Sequence, residues 1–264
     1  MNKSVVVIGM GEIGSVFARG FLRLGYPVVP VMRDMDMGVV AAEVSEPEMV
    51  IVAVAEKDLH ATLQQLPDVW RDRLVLLQNE LLPRDWQQHG LEKPTVISVW
   101  FEKKQGMDSK VVIASPAYGP VAGLLKEALA TVNVPVTVLA DEEALLFELV
   151  LKNLYILTTN IAGIQAGGNV RELWLNHNEL ACEVAADVFD LQEYLTGRSL
   201  SRTALIEGML HAFDGDPAHG CMGRSAPARL QRALAIADAA GLEVTTLRRI
   251  AAGPLPTSEQ PLLQ

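Results

Sequence analysis

Cysteine is scarce in this chain of 264 residues: Cys182 and Cys221 are all it has, in unrelated contexts and without CxxC spacing. That excludes a disulfide framework and a thiolate metal or redox motif, and it fits a reducing, cytoplasmic compartment. Positive charge is also in deficit, with 22 Lys and Arg against 32 Asp and Glu and a formal net charge of −10. No basic tract is present to displace counterions from phosphates, so a nucleic-acid partner is not expected. Unbroken apolar runs long enough to span a membrane are missing as well. The greasiest stretch, Ala144 to Ala166, carries Glu148, Lys152, Asn153 and Asn160. Those groups are too costly for a lone membrane span, so the stretch reads as a buried helix and no membrane partner is expected. The N-terminus enters an apolar run almost at once and offers no small-residue cleavage site, so no signal peptide is read. No internal repeat or low-complexity segment occurs; the loose stretches are Asp214 to Gly223 and the tail from Pro254.

What the chain does have is apolar bulk, half of its residues, enough for a sizeable core. Near its start Val5, Val6, Val7 and Ile8 lead into Gly9-Met10-Gly11-Glu12-Ile13-Gly14. The apolar run reads as a buried parallel strand. Gly9 permits a sharp turn, Gly11 leaves room for a pyrophosphate against main-chain N–H groups, and Gly14 lets helix and strand pack closely. An amphipathic helix follows from Gly11 or Glu12, with its N–H groups and positive dipole end toward the phosphates; Gly25 stops it, and Val28 to Met32 form a second strand. In that context the six residues Gly9 to Gly14 predict dinucleotide binding. At the end of the second strand Arg33 is the first charged residue, which favours the 2′-phosphate of NADP; Asp34, one position on, is the alternative ligand for a ribose 2′-hydroxyl, and the plainer reading of Arg33 is a solvated loop charge.

Strands continue to alternate with helices: strands over Met49 to Val54, Arg73 to Gln78, Thr95 to Trp100, Val111 to Ala114 and Val134 to Val138, and helices over Ala55 to Leu66, Pro83 to His89 and Gly119 to Thr131. Only a turn or two of helix fits between Asp34 and Pro47. The pattern gives an α/β fold, a Rossmann-type doubly wound parallel sheet over residues 1–140 with its ligand beyond the carboxyl ends of the strands. Asn79 and Trp100 fall at such ends, the first suited to hydrogen-bonding the cofactor or simply to forming a turn. From Asp141, an N-cap followed by Glu142 and Glu143, the strand signal stops. Helical stretches at Arg171 to Leu195, Ser199 to His211, Ala226 to Ala240 and Val244 to Ala251 make residues 141–264 a smaller all-α domain, the expected substrate and dimerisation domain of a homodimer.

On the long helix, Lys152 and Asn160 lie about 80° apart and about 12 Å along the axis, so both can face one cleft. A lysine there can protonate a carbonyl oxygen, with burial lowering its pKa toward neutrality. The alternative is a surface pair between Glu148 and Lys152 at (i, i+4), with Asn160 a satisfied core amide. Ser225 and Arg229, at the start of a later helix, are candidates for a substrate carboxylate. His177, Glu179, Cys182 and Glu183 mix helix faces, and no metal site is read from them.

The stretch Glu148-Leu149-Val150-Leu151-Lys152 through Asn160 to Glu172-Leu173 resembles the signature of ketopantoate reductases. Gly9 to Gly14 with Arg33, Gln78-Asn79, Gly119-Pro120 and Ala237-Asp238-Ala239-Ala240-Gly241-Leu242 are similar to further segments of that family, in the same order. The resemblance implies that Lys152 is the general acid, that Asn160 orients the substrate and that Asn79 touches NADP. The chain departs from the family pattern at Ile156, where an asparagine is expected, after the third strand, where Ala55 or the nearby Glu56-Lys57 replaces an expected lysine, and at Ser225, where an acidic residue is expected. Trp100 and Phe101 make the expected pocket more apolar. The reading is therefore an NADPH-dependent reductase of a small 2-keto acid or related carbonyl. A 3-hydroxyacid dehydrogenase or imine reductase, and a non-catalytic NADP-binding module, are the alternatives.

Overall fold

The computed structural model describes residues 3–253; the tail from Pro254 lies outside them. The chain forms two compact units, Met1–Leu149 and Val150–Gln264, and the division falls inside one long helix.

The first unit runs β1 (Val5–Ile8), α1 (Glu12–Arg23), β2 (Val28–Val31), α2 (Met37–Glu43), β3 (Met49–Val52), α3 (Leu59–Gln64), β4 (Leu74–Leu76), α4 (Pro83–Gln87), β5 (Thr95–Ile97), β6 (Phe101–Glu102), β7 (Lys110–Val111), β8 (Ser115–Tyr118), α5 (Ala122–Ala130) and β9 (Val136–Val138). Seven of these strands form one sheet in the order β2-β1-β3-β4-β5-β8-β9. From β2 to β5 every pairing is parallel. All side chains of β1 and β3 are buried, as expected of central strands covered on both faces. Phe17 and Phe21 of α1 and Leu125 and Leu129 of α5 are wholly buried in the cluster that includes Val5, Val7 and Ile51. Each such side chain contributes about 1.5–3 kcal/mol. The chain leaves β1 to one side for β2 and to the other for β3, so the carboxyl ends of β1 and β3 border a topological switch point.

The sheet is mostly parallel, as the sequence predicts, with one antiparallel pairing. β8 pairs antiparallel with β5, Val96 opposite Tyr118 and Ile97 opposite Ala117, and β9 then runs parallel to β8. A parallel return needs a crossover, usually a helix. Between β5 and β8 the chain has only the β6–β7 hairpin. The strand expected at Val111 to Ala114 therefore ends at Val111 in that hairpin, and the sheet strand begins at Ser115. Pro116, which lacks an N–H and ordinarily marks a strand edge, disguises it. The helix expected over Ala55 to Leu66 is a 3-10 turn, Glu56–Asp58, followed by the shorter α3.

Helix α6 (Glu142–Ala166) crosses the division and is followed by α7 (Val170–Asn176), α8 (Asn178–Thr196), α9 (Arg202–Gly215), α10 (Ala226–Ala240) and α11 (Thr245–Ala252). Asp141 caps α6, its Oδ1 accepting from the Ala144 N–H at 2.8 Å. Among the described residues α6 is the one helix long and apolar enough to cross a membrane, and 67% of that apolar stretch is buried within the protein. The stretch read as one helix from Arg171 to Leu195 breaks at His177. Tyr155 of α6 and Trp174 of α7 both meet Phe213 of α9 edge-on, with ring centroids at 5.6 and 6.3 Å. Helix α11 is capped from outside its own sequence: the Asp187 carboxylate of α8 accepts from the Thr246 and Leu247 N–H groups at 2.8 and 2.9 Å.

Candidate active site

In the first unit the turn between β1 and α1 uses its three glycines for different reasons. Gly9 has φ +91°, and a Cβ there would stand 2.8 Å from the Ala53 carbonyl oxygen. A Cβ on Gly14 would overlap the Gly9 carbonyl oxygen. Gly11, by contrast, has nothing within 4 Å of its Cβ position. The fold needs Gly9 and Gly14, whereas the openness at Gly11 is useful only to something that approaches the backbone from outside. As N-cap of the 12-residue α1, Gly11 also offers no side chain to occupy the first-turn N–H groups.

A cleft of about 440 Å³ opens beside Gly11, lined by Gly9, Arg33, Ala53, Asp58 and Thr62 among others. Arg33 lines it and Asp34 does not. The Arg33 side chain is 93% exposed and stands 3.7 Å from the Asp58 carboxylate. Met10 and Ile13 face inward against the core. The Glu12 carboxylate, which by itself would repel phosphates at the helix N-terminus, accepts from Lys103 Nζ at 3.1 Å. Lys103 was not legible as a site residue, because it reaches Glu12 across 91 positions from the β6–β7 hairpin. Open backbone at Gly11, an uncapped helix start, a neutralised carboxylate and a basic group at the cleft fit the phosphates of a dinucleotide.

Asn79, after β4, lies outside this cleft and donates to Glu56 Oε1 at 3.0 Å. Its neighbour Gln78 is buried and ties β4 to β3, donating to the Val52 and Val54 carbonyls at 2.6 and 3.3 Å. Trp100 is 1% exposed, its backbone N–H donating to Ser115 Oγ at 2.9 Å, and Phe101 packs on Phe17 in the core with centroids 6.3 Å apart.

In the second unit, Lys152, Tyr155, Ile156, Thr159 and Asn160 follow one face of α6 at helical spacing. Arg229, in the second turn of α10, is 8% exposed and donates through Nη1 to Asn160 Oδ1 at 2.8 Å. That bond fixes the amide of Asn160, whose Nδ2 donates to its neighbour Thr159 Oγ1 at 3.4 Å. Lys152 is partly buried, with Nζ 5.6 Å from the centroid of the Tyr155 ring. Burial first, and the positive charge of Arg229 second, lower its pKa to about 7. A surface pair with Glu148 would push it the other way. Glu148 is itself shifted up by burial. Ser225 is exposed at the N-cap of α10, and its side chain makes no capping bond. The structure thus joins Asn160 to Arg229 and couples Lys152 to Arg229 electrostatically, while Ser225 meets Arg229 through its backbone carbonyl, which accepts from the Arg229 N–H at 2.9 Å. The cluster carries two cations and an amide, a setting that attracts an anion and can release a proton near neutral pH.

No protein-family model and no curated protein matches this chain. Solved structures do. A ketopantoate reductase of the PanE/ApbA family from Ralstonia eutropha superposes with a TM-score of 0.65 at 14% identity, covering 94% of this chain and 96% of that one. The 2-dehydropantoate 2-reductase from Methylococcus capsulatus gives 0.68 at 11% identity, covering 94% of each chain. A D-mandelate dehydrogenase, solved in complex with NADH, gives 0.66 at 11%, covering 94% and 96%. At such identities the likeness is one of fold, and on that ground the chain has the ketopantoate reductase fold, a Rossmann-type domain followed by an all-α domain.

Proposed function

We propose that this protein is an NADPH-dependent reductase of a small 2-keto acid or related carbonyl, with Lys152 as its general acid. The observation that carries the reading is the Lys152, Asn160 and Arg229 cluster on α6 and α10, with the lysine pKa lowered to about 7. The shared fold with ketopantoate reductases and a D-mandelate dehydrogenase supports nicotinamide-dependent oxidoreduction.

The Gly9 to Gly14 turn and the start of α1 would hold the pyrophosphate, and Arg33 the 2′-phosphate. The bound nicotinamide supplies a hydride to the carbonyl carbon. Every other task falls to the chain. Arg229 neutralises the substrate carboxylate and keeps Asn160 in one orientation. The Asn160 NH₂ donates to the substrate, and Lys152 holds the proton that passes from Nζ to the carbonyl oxygen as that oxygen gains charge. Ile156, at the position where the family pattern has an asparagine, is a buried apolar residue between the two along α6, and the loss of that amide supports a substrate less hydroxylated than ketopantoate.

The test is NADPH oxidation measured over a panel of 2-keto acids, aldehydes and cyclic imines, with Lys152→Ala as control. The expected result is turnover with one or more 2-keto acids that falls by roughly 10²–10⁴-fold in the variant while NADPH binding is retained. Tight NADPH binding without turnover of any member would favour a non-catalytic nucleotide-binding role. Turnover of imines alone would remove the keto acid.

A further inference from the structure

Asp58 is the last residue of the 3-10 turn that follows β3 and the residue immediately before α3. An aspartate at that position ordinarily turns its carboxylate back to cap the helix. Here it makes no side-chain capping bond. Its backbone is engaged instead, the N–H with the Ala55 carbonyl at 2.9 Å and the carbonyl with Thr62 Oγ1 at 2.9 Å. The side chain is left to face the cleft, which it lines opposite Arg33, with Oδ2 3.7 Å from Arg33 Nη2. The two opposite charges thus come from different walls of one cleft, Arg33 from the end of β2 and Asp58 from the start of α3.

We infer that Asp58 sets the cofactor preference, its carboxylate accepting a hydrogen bond from the ribose 2′-hydroxyl of NADH and opposing the 2′-phosphate of NADPH that Arg33 attracts. This rests on the reading of the first unit as a nicotinamide-dinucleotide site. A phosphate seated on Arg33 has to stand within a few ångströms of the Asp58 carboxylate, and like charges at that range repel even in a partly hydrated cleft. A 2′-hydroxyl brings no charge and supplies the donor that a carboxylate accepts. Arg33 alone would make the site strongly selective for NADPH. With Asp58 opposite, both dinucleotides bind and the phosphate confers only a modest preference.

Dissociation constants for NADPH and NADH, measured by nucleotide fluorescence on the full chain, test this. The wild type is expected to bind both within about tenfold of each other. Asp58→Asn keeps the shape and removes the charge, and is expected to widen the preference for NADPH by about tenfold, through tighter NADPH and weaker NADH. Arg33→Ala is expected to weaken NADPH and leave NADH unchanged. An unchanged ratio in Asp58→Asn, with both nucleotides still bound, would overturn the inference and leave the dinucleotide reading intact. Failure of the wild type to bind either nucleotide would overturn both.

Discussion

Lys152 carries the chemistry proposed for this protein, and its environment fixes how activity must depend on pH. A general acid has to hold its proton, so the rate of reduction is expected to be flat at low pH and to fall as pH rises through about 7, seen in the pH profile of kcat. Replacing Arg229 by Met removes the second cause of the lowered pKa, so that limb should move to higher pH. The same change costs the substrate carboxylate a charge-assisted hydrogen bond, and KM for the keto acid is expected to rise roughly 10–100-fold. Lys152 also makes stability depend on pH. Its folded pKa lies below the value of about 10.4 in an unfolded chain, so between those limits the unfolded state binds more protons and stability rises with pH. Below about pH 7 the full penalty of the buried charge is present. Lys152→Met is therefore expected to slow turnover roughly 10²–10⁴-fold yet raise Tm at pH 6, with the gain shrinking by pH 9; an unchanged or lower Tm at pH 6 would contradict the lowered pKa. Lys152 and Asn160 were legible from helical spacing, but the bond from Arg229 to Asn160 spans 69 positions and leaves no trace in any local pattern. Asp58 and Lys103 stayed hidden for the same reason: each is an ordinary surface charge until its distant partner is placed.

The β1–α1 element offers a sharper separation of fold from function. Gly14→Ala places a methyl group against the Gly9 carbonyl oxygen, so the turn must open and the close contact of helix and strand is lost. The expected result is a fall in stability of about 1–3 kcal/mol, as for other overpacked positions, together with loss of nucleotide binding. Gly11→Ala meets nothing in the chain itself. It should keep Tm close to wild type and still weaken NADPH binding, because the new methyl group stands where the pyrophosphate approaches. Equal loss of stability in both variants would show that Gly11 serves only the turn. This element was legible because everything that defines it is local: four buried β-branched residues, a glycine spacing and an amphipathic helix. The β5–β8 pairing was not. Its direction depends on the absence of a crossover helix between Ile97 and Ser115, and Pro116 sits inside the strand it helps to form.

At the scale of the molecule, the sheet of the first unit and the helical array of the second were both readable from the change of hydrophobic period near Asp141. The compact units divide later, at Leu149, since α6 runs without interruption through that point and helical period cannot reveal which residues pack with which unit. A ligand that binds only the folded chain stabilises it by mass action. NADPH at a hundredfold excess over its Kd is therefore expected to add about 2.7 kcal/mol, read as a rise in Tm that Gly11→Ala reduces. The central claim is hydride transfer to a carbonyl with Lys152 supplying the proton. Its most direct test follows deuterium from 4-deuterated NADPH, of each face in turn, into the product by mass spectrometry. One deuterium on the carbinol carbon of a 2-hydroxy acid, formed from one face only and at least about 100-fold more slowly in Lys152→Ala, is the predicted result. Bound NADPH that delivers deuterium to no keto acid from either face, or an undiminished rate in Lys152→Ala, would contradict it.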